Sequence, residues 1–122
     1  MAAKKRSGAC VMFVMAGAEE EAEKISRSLV EENLAACANI IGPARSMYRW
    51  QGKVEDAREY LIMIKTRTSL TSRVERAVRK LHSYEVPEII ALTITAGSAP
   101  YLEWISQNTT APKRARRATP KS

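Results

Sequence analysis

The sequence lacks several features that would assign it to a common functional class. It contains a single histidine, His82, so no site that needs two imidazoles from one chain can form. Its two cysteines, Cys10 and Cys37, are too few for a disulfide scaffold and lack the spacing of a structural zinc site. Aromatic residues make up only 6% of the chain, which disfavours a nucleic-acid surface built on stacked rings. No apolar run approaches the roughly 18 residues that span a bilayer, so we expect no membrane insertion.

Motifs of the common catalytic sites are also missing. The chain has no glycine-rich phosphate loop and no CxxC, HExxH or GxSxG pattern. A nucleophilic cysteine needs a neighbouring base, whereas Cys37 lies in an Ala-Ala-Cys-Ala stretch that favours a buried thiol. The sequence therefore predicts a protein that is not an enzyme.

The net charge of +7 belongs to the two ends of the chain. Three basic residues lie at positions 4–6 and five lie at positions 113–121, without an acidic residue among them. The remaining 12 basic and 13 acidic residues nearly cancel. A basic end can bind a phosphate polymer, but its composition is more typical of a solvated, disordered segment. We therefore predict disordered ends at residues 1–8 and 109–122 and expect no nucleic-acid partner.

The apolar segment near the N-terminus has two interpretations. Basic residues, the run ACVMFVM and then Ala16-Gly17-Ala18 imitate a secretory signal peptide. The same run is rich in β-branched, aromatic and sulfur-containing side chains and precedes an acidic helical segment, which favours a buried strand over residues 10–16. We favour the strand and expect a cytoplasmic protein.

Hydrophobic periodicity predicts one α+β domain over residues 9–108. Strands are expected at 10–16, 34–50, 54–66 and 88–95, and helices at 18–33, 68–83 and 98–108. Thr68 or Ser69 can cap the second helix and Ser98 the last, whereas Asn33 is a plausible end of the first helix. The order βαββαβ plus a C-terminal helix is the ferredoxin-like arrangement, an antiparallel sheet with helices on one face.

The second and third strands form an unusually long hairpin around Gln51-Gly52-Lys53. Both arms exceed the usual five or six residues, so the segment 45–57 should project beyond the core of a small domain. Met47, Tyr48 and Trp50 lie near its tip, where a monomer has nothing to bury them against. We therefore predict that these three side chains contact a neighbouring subunit.

Two groups of residues are candidates for a ligand site. His82, Cys37 and Met15 offer the soft ligands that copper prefers, and carboxylates such as Glu59, Glu85 and Glu88 could join them. The alternative is that His82 complements the end of a helix. In the segment YEVPEII, Tyr84 and Glu88 can point into a polar cleft at the end of the sheet. The alternative is a rigid helix-to-strand connection with solvated carboxylates.

Four blocks carry a resemblance to a known family: ENLAACANIIGPARSMYRWQGKV, YLIMIKT, LHSYEVPEIIAL and YLEWI. In this order they resemble the CutA divalent-cation-tolerance family over roughly residues 10–107. The resemblance implies a ferredoxin-like protomer that forms a stable homotrimer through its hairpins, similar in form to the PII signalling proteins. It also implies a role in tolerance to copper and other divalent metals, with copper binding in some members and no established enzymatic activity.

Three positions depart from the family pattern. This chain has Met15 where some members carry cysteine, Leu81 before His82 where some carry a histidine pair, and Ser83 where proline is usual. A copper site of that kind keeps only His82 here, so we name His82 first and Cys37 second as metal ligands. The alternative hypothesis is a PII-like sensor or interaction protein that binds an anionic metabolite in inter-subunit clefts. Its cleft residues would be Lys65, Arg67, Tyr84 and Glu88.

Overall fold

The computed structural model describes residues 8–110, which form four strands and three α-helices. In chain order these are β1 (Ala9–Ala16), α1 (Glu19–Glu31), β2 (Cys37–Trp50), β3 (Lys53–Arg67), α2 (Thr71–Leu81), β4 (Ile89–Thr93) and α3 (Ala99–Gln107). A short 3₁₀ turn, Thr68–Leu70, precedes α2. The strands form one antiparallel sheet in the order β2–β3–β1–β4, so the predicted ferredoxin-like α+β fold is confirmed.

The apolar N-terminal segment is the inner strand β1. It pairs with β3 on one side and with β4 on the other, and every second side chain is buried. This pairing confirms the strand interpretation of the run ACVMFVM. Among residues 8–110, no helix is both long and apolar enough to cross a membrane.

The core lies between one face of the sheet and the helices α1 and α2. It is made by alternate residues of the inner strands and by the apolar stripes of both helices. The principal members are Met12, Val14, Ile62, Ile64, Ile25, Leu29, Val74 and Val78. The opposite face of the sheet is also apolar: Phe13 is paired with Met63 and Ile90, and Val11 is paired with Leu92. Ile90 and Leu92 are about half exposed there, at 47% and 49%.

The two long helices differ in how well the sequence predicts their ends. Asn33 follows α1 with a positive φ of 60°, and the backbone amides of Asn33 and Leu34 donate to the carbonyls of Val30 and Leu29. This is the Schellman arrangement, which confirms Asn33 as the helix end. The predicted cap of α2 is wrong: the chain enters through the 3₁₀ turn, and Leu70, without a side-chain cap, precedes the helix.

The hairpin of β2 and β3 is long, with strands of 14 and 15 residues. Its turn consists of Gln51 and Gly52, both at positive φ, and Trp50 pairs directly with Lys53. A register shift between residues 41 and 44 marks the predicted bend. Gly42 is needed there because an added Cβ would lie 2.7 Å from the ring of Tyr60.

The C-terminal helix is fastened to the sheet by Arg67. Ser98 caps α3 as predicted, by accepting from the amide of Tyr101. The Arg67 guanidinium donates to the carbonyl of Ser106 and to both the hydroxyl and the carbonyl of Thr109. Thr109 is buried, and the following amide donates to the Asn33 carbonyl at 2.8 Å. Residues 1–7 and 111–122, where most of the predicted disordered ends fall, lie outside the described residues.

Candidate functional site

A cleft of about 600 Å³ lies where β1 ends, beside the β2–β3 hairpin and the loop between α2 and β4. Its lining combines two methionines, three aromatic rings and three carboxylates with a few small side chains. The lining residues are Met15, Ser46, Met47, Tyr48, Trp50, Glu59, Tyr84, Glu85, Val86 and Glu88. This volume is within the range of small-molecule pockets, which supports the predicted cleft at the end of the sheet.

The floor of the cleft is a hydrogen bond between a tyrosine and a buried carboxylate. The hydroxyl of Tyr84 donates to Oε2 of Glu59 at 2.9 Å, and Glu59 is only 6% exposed. Burial, and then the bond to the Glu59 carboxylate, raises the pKa of Tyr84 to about 12. Tyr84 is therefore a protonated donor at neutral pH.

A glycine makes this contact sterically feasible. A Cβ added to Gly17, just after β1, would lie 2.8 Å from the hydroxyl oxygen of Tyr84. That separation is shorter than any ordinary carbon–oxygen contact, so only glycine leaves the ring its observed place. The sequence shows Gly17 as part of a small-residue segment but gives no sign of the tyrosine that requires it.

His82 holds the loop that carries Tyr84, and both of its ring nitrogens are occupied. Nδ1 accepts from the backbone amide of Tyr84 at 3.0 Å, so the proton lies on Nε2, which donates to the carbonyl of Met15 at 2.7 Å. The His82 side chain is fully buried. Nearby, Glu21 accepts from both the amide and the hydroxyl of Ser83. The imidazole thus positions the residues 82–84 against the end of β1.

The two predicted metal ligands are not brought together. Cys37 starts β2 opposite Lys65, whereas the His82 ring is bonded at Met15, which is opposite Leu61. Four residues of β3 separate these positions, about 13 Å along an extended strand. The Cys37 thiol instead contacts Oδ1 of Asn39 at 3.5 Å. Within residues 8–110, no three His, Cys, Asp or Glu side chains are grouped closely enough to hold a metal ion.

The predicted cleft residues are divided between two places. Tyr84 and Glu88 line the cleft. Lys65 instead donates to Oδ1 of Asn39, and Arg67 is engaged by the C-terminal helix. Neither cation lines the cleft, so the grouping of these four residues does not occur within one chain.

Sequence reasoning named Glu59 only as a carboxylate near a possible metal site and missed its central place in the cleft. On β3 it has the same phase as Leu61 and Met63, on the face of the sheet opposite the helices. Glu59 directly follows the polar half of β3, which contains Glu55, Asp56 and Arg58, so the local sequence gives no sign that this carboxylate is buried. Its burial depends on Tyr84, 25 positions further along the chain, and no local pattern encodes that contact.

The fold and the cleft define a class of protein: a ferredoxin-like α+β domain with a projecting hairpin and an acidic, aromatic cleft at one end of its sheet. The family model "CutA1 divalent ion tolerance protein" matches residues 10–108. The chain therefore belongs to the CutA1 family, and the resemblance seen in the sequence is confirmed.

Individual relatives agree with the family model. The chain is 44% identical over 99 residues to the divalent-cation tolerance protein CutA of Thermus thermophilus, a match that covers 81% of this chain and 96% of that protein. It is 46% identical over 97 residues to mouse protein CutA, covering 80% of this chain and 55% of that protein. This chain thus spans about half the length of its mouse relative.

Solved structures of two relatives have the same fold. The divalent cation tolerance protein of Thermus thermophilus superimposes with a TM-score of 0.82 at 43% identity, covering 84% of this chain and 99% of that one. CutA1 from Oryza sativa superimposes with a TM-score of 0.83 at 39% identity, covering 85% and 95%. The long hairpin and the C-terminal helix therefore belong to a fold that this family shares.

Proposed function

We propose that the chain acts as a homotrimer in the tolerance of cells to divalent cations, without catalytic turnover. Membership of the CutA1 family supports the physiological role. The observation that carries the oligomer is the apolar face of the sheet opposite α1 and α2.

This open face is too apolar to be left to solvent in a single chain. Ile90 and Leu92 of the edge strand β4 are about half exposed, and they lie beside Phe13 and Val11 of β1. Contiguous exposed apolar surface on a small protein typically marks an interface. A second copy of the same chain is the simplest partner, because its own open face offers matching apolar surface.

The hairpin supplies a second contact surface. Met47, Tyr48 and Trp50 are 63%, 39% and 44% exposed, and Val54 on the opposite arm is 67% exposed. Large apolar side chains at the tip of a projecting element stabilise a protein only when a partner covers them. In the proposed trimer the hairpin of each subunit reaches its neighbour, and the cleft lies beside that contact.

A copper site does not fit the described residues of one chain. Both ring nitrogens of His82 are hydrogen-bonded. Cys37 pairs with Lys65 of β3, four residues along that strand from the partner of Met15, to which His82 is bonded. Residues 8–110 contain no other cluster of metal-ligand type. Copper binding through His82 and Cys37 therefore stays a prediction that requires ligands from several subunits or rearrangement of the loop 82–84.

Two further parts of the proposal concern location and ligand. We propose a cytoplasmic location; the apolar segment that imitates a signal peptide is the inner strand β1 of the fold. The alternative of an anionic metabolite in a cleft between subunits requires cations from a neighbouring chain, because within one chain three carboxylates and no lysine or arginine line the cleft.

Complementation with interface variants tests the proposed function. In a host whose own family member is deleted, expression of the chain should restore growth in elevated Cu(II). Leu92→Glu, which places a charge on the open face, should abolish this rescue and give a monomer. Val30→Glu is the matched control, because Val30 is a comparably exposed aliphatic residue on α1. Full rescue by a monomeric Leu92→Glu variant would contradict the proposal.

A further inference from the structure

Glu59 is a buried carboxylate whose charge has no cationic partner among residues 8–110. Its only hydrogen bond from those residues is the one that Tyr84 donates to Oε2. None of the ion pairs that the described residues form includes it. Glu59 is only 6% exposed, but its second oxygen is not among the buried atoms that lack a partner, so it keeps access to the cleft that Glu59 lines. A positive group in the cleft can therefore approach this carboxylate and pair with its charge.

The walls around Glu59 have the composition of a site for an organic cation. Glu85 and Glu88 add two carboxylates, and no lysine, arginine or histidine lines the cleft. The rings of Tyr48, Trp50 and Tyr84 also line it. Tyr48 and Trp50 are two apart on β2, so their side chains share one side of the strand. Aromatic faces together with carboxylates attract ammonium groups through cation–π and charge interactions.

The spacing of the acidic groups in the cleft favours an organic cation over a metal ion as the ligand. A metal needs several ligand atoms within about 2.0–2.6 Å of one point. Among residues 8–110 no three acidic, histidine or cysteine side chains converge in that way. The cleft of about 600 Å³ instead has room for a ligand with an apolar body and a diffuse positive charge.

We propose that this cleft binds a small organic cation, an amine or quaternary ammonium compound, with its charge against Glu59 and its body between the rings of Tyr48, Trp50 and Tyr84. The binding goes beyond the proposed role in divalent-cation tolerance and does not depend on it. In an oligomer the neighbouring hairpin would narrow the cleft, and its basic residues are the competing source of a positive group against Glu59.

Titration calorimetry with choline chloride tests this site on the full chain in its native oligomeric state. The neutral carbon isostere of choline, dimethylbutanol, is the control ligand because it has nearly the same shape without the charge. We expect saturable binding of choline and at least about tenfold weaker binding of the isostere, the ratio expected when one charge-assisted contact is lost.

Glu59→Gln is the informative variant. Its side-chain carbonyl can still accept from the Tyr84 hydroxyl, so mainly the charge is removed. Choline affinity should fall about tenfold or more, whereas Glu103→Gln on the exposed surface of α3 should leave it unchanged. In a Trp104→Phe background Trp50 is the only tryptophan of the chain, so the fluorescence signal reports on it alone. This fluorescence should change on choline binding, because Trp50 lines the cleft.

Three results would overturn the proposal: no saturable binding of choline, equal binding of choline and its isostere, or unchanged affinity in Glu59→Gln. Displacement of choline by Zn(II) in a manner that depends on Glu59 would also overturn it, because the cleft would then be a metal site. If a basic residue of a neighbouring subunit pairs with Glu59 instead, choline will not bind and the Glu59→Gln variant will dissociate from its oligomer. Light scattering on the same samples reports the trimer separately, so failure of the ligand proposal leaves the proposed function standing.

Discussion

The hydroxyl of Tyr84 and the carboxylate of Glu59 lie 2.9 Å apart and join the loop after α2 to the middle of the hairpin. The two residues are 25 positions apart in the chain. Their hydrogen bond forms the floor of the cleft. Gly17 leaves room for the Tyr84 hydroxyl, and His82 accepts from the Tyr84 backbone amide. Most of the behaviour expected of the cleft follows from this pair.

Tyr84 should ionise at a higher pH than a tyrosine in an unfolded chain. Its pKa is raised to about 12 by burial and by the Glu59 carboxylate, against about 10 in an unfolded chain. The neutral hydroxyl is favoured in the folded protein, so its contribution to stability is complete below pH 10 and is lost as pH rises through about 12.

Ultraviolet absorbance of tyrosinate measures this titration, and Tyr84→Phe identifies the late component. Glu59→Gln should lower the pKa of Tyr84, because one of its causes is removed. A wild-type titration curve without the late component that Tyr84→Phe removes would show that the bond is absent.

Replacing Gly17 should cost stability through Tyr84 alone. Gly17→Ala places a Cβ 2.8 Å from the Tyr84 hydroxyl and should break its bond to Glu59, lowering the free energy of unfolding by about 1 kcal/mol. In a Tyr84→Phe background the oxygen is gone, so the same alanine should cost much less. Urea denaturation of the four proteins gives the coupling energy of the pair. If the two substitutions lower the free energy of unfolding additively, the cost of Gly17→Ala does not arise from its contact with Tyr84.

His82 should matter for stability, and any high-affinity metal site should depend on it. His82→Ala leaves the Met15 carbonyl and the Tyr84 amide without partners, so the free energy of unfolding should fall by about 2–4 kcal/mol. Since His82 is the only imidazole, titration of this variant with Cu(II) should show weakened binding, whereas deletion of residues 111–122 should not. Cu(II) affinity that survives in His82→Ala, or is lost with the basic tail, would refute the assignment.

Trp50 should contribute to assembly. Trp50→Ala should weaken the oligomer by about 2 kcal/mol or more, because interface tryptophans carry much of the binding energy. Sedimentation over a dilution series measures the change. Trp104→Ala is the matched control: Trp104 is similarly exposed, but it lies on α3 and stacks on Tyr101. Equal effects of the two substitutions would indicate a general loss of stability in place of a hairpin contact.

The fold was readable from the sequence because its elements are encoded locally. Three local patterns each predict their own segment: the continuous apolar runs of β1 and β3, the stripe Ala22, Ile25 and Leu29 in α1, and the polar Gln51-Gly52 turn. The start of α2 was mispredicted because two hydroxyl residues, Thr68 and Ser69, resemble a cap but occupy a 3₁₀ turn. Capping depends on backbone angles that composition does not fix.

The site was only half readable, because it is made by contacts between distant segments. Tyr84 and Glu88 were found from their proline-bounded loop. Lys65 and Arg67 lie outside the cleft of one chain and stay predictions for a cleft between subunits. A strand pattern tells which face a side chain takes but not which loop covers it. Arg67 is drawn to the carbonyls of Ser106 and Thr109, 39 and 42 positions away, which its local sequence does not reveal.

The oligomeric mass tests the central claim most directly, because the open face and the exposed hairpin are both explained by assembly. Multi-angle light scattering of the full chain at micromolar concentration should give three times the 13.6 kDa mass of one chain. Leu92→Glu should reduce that mass, and Val30→Glu should not. A mass near 13.6 kDa for the wild-type chain would contradict the account.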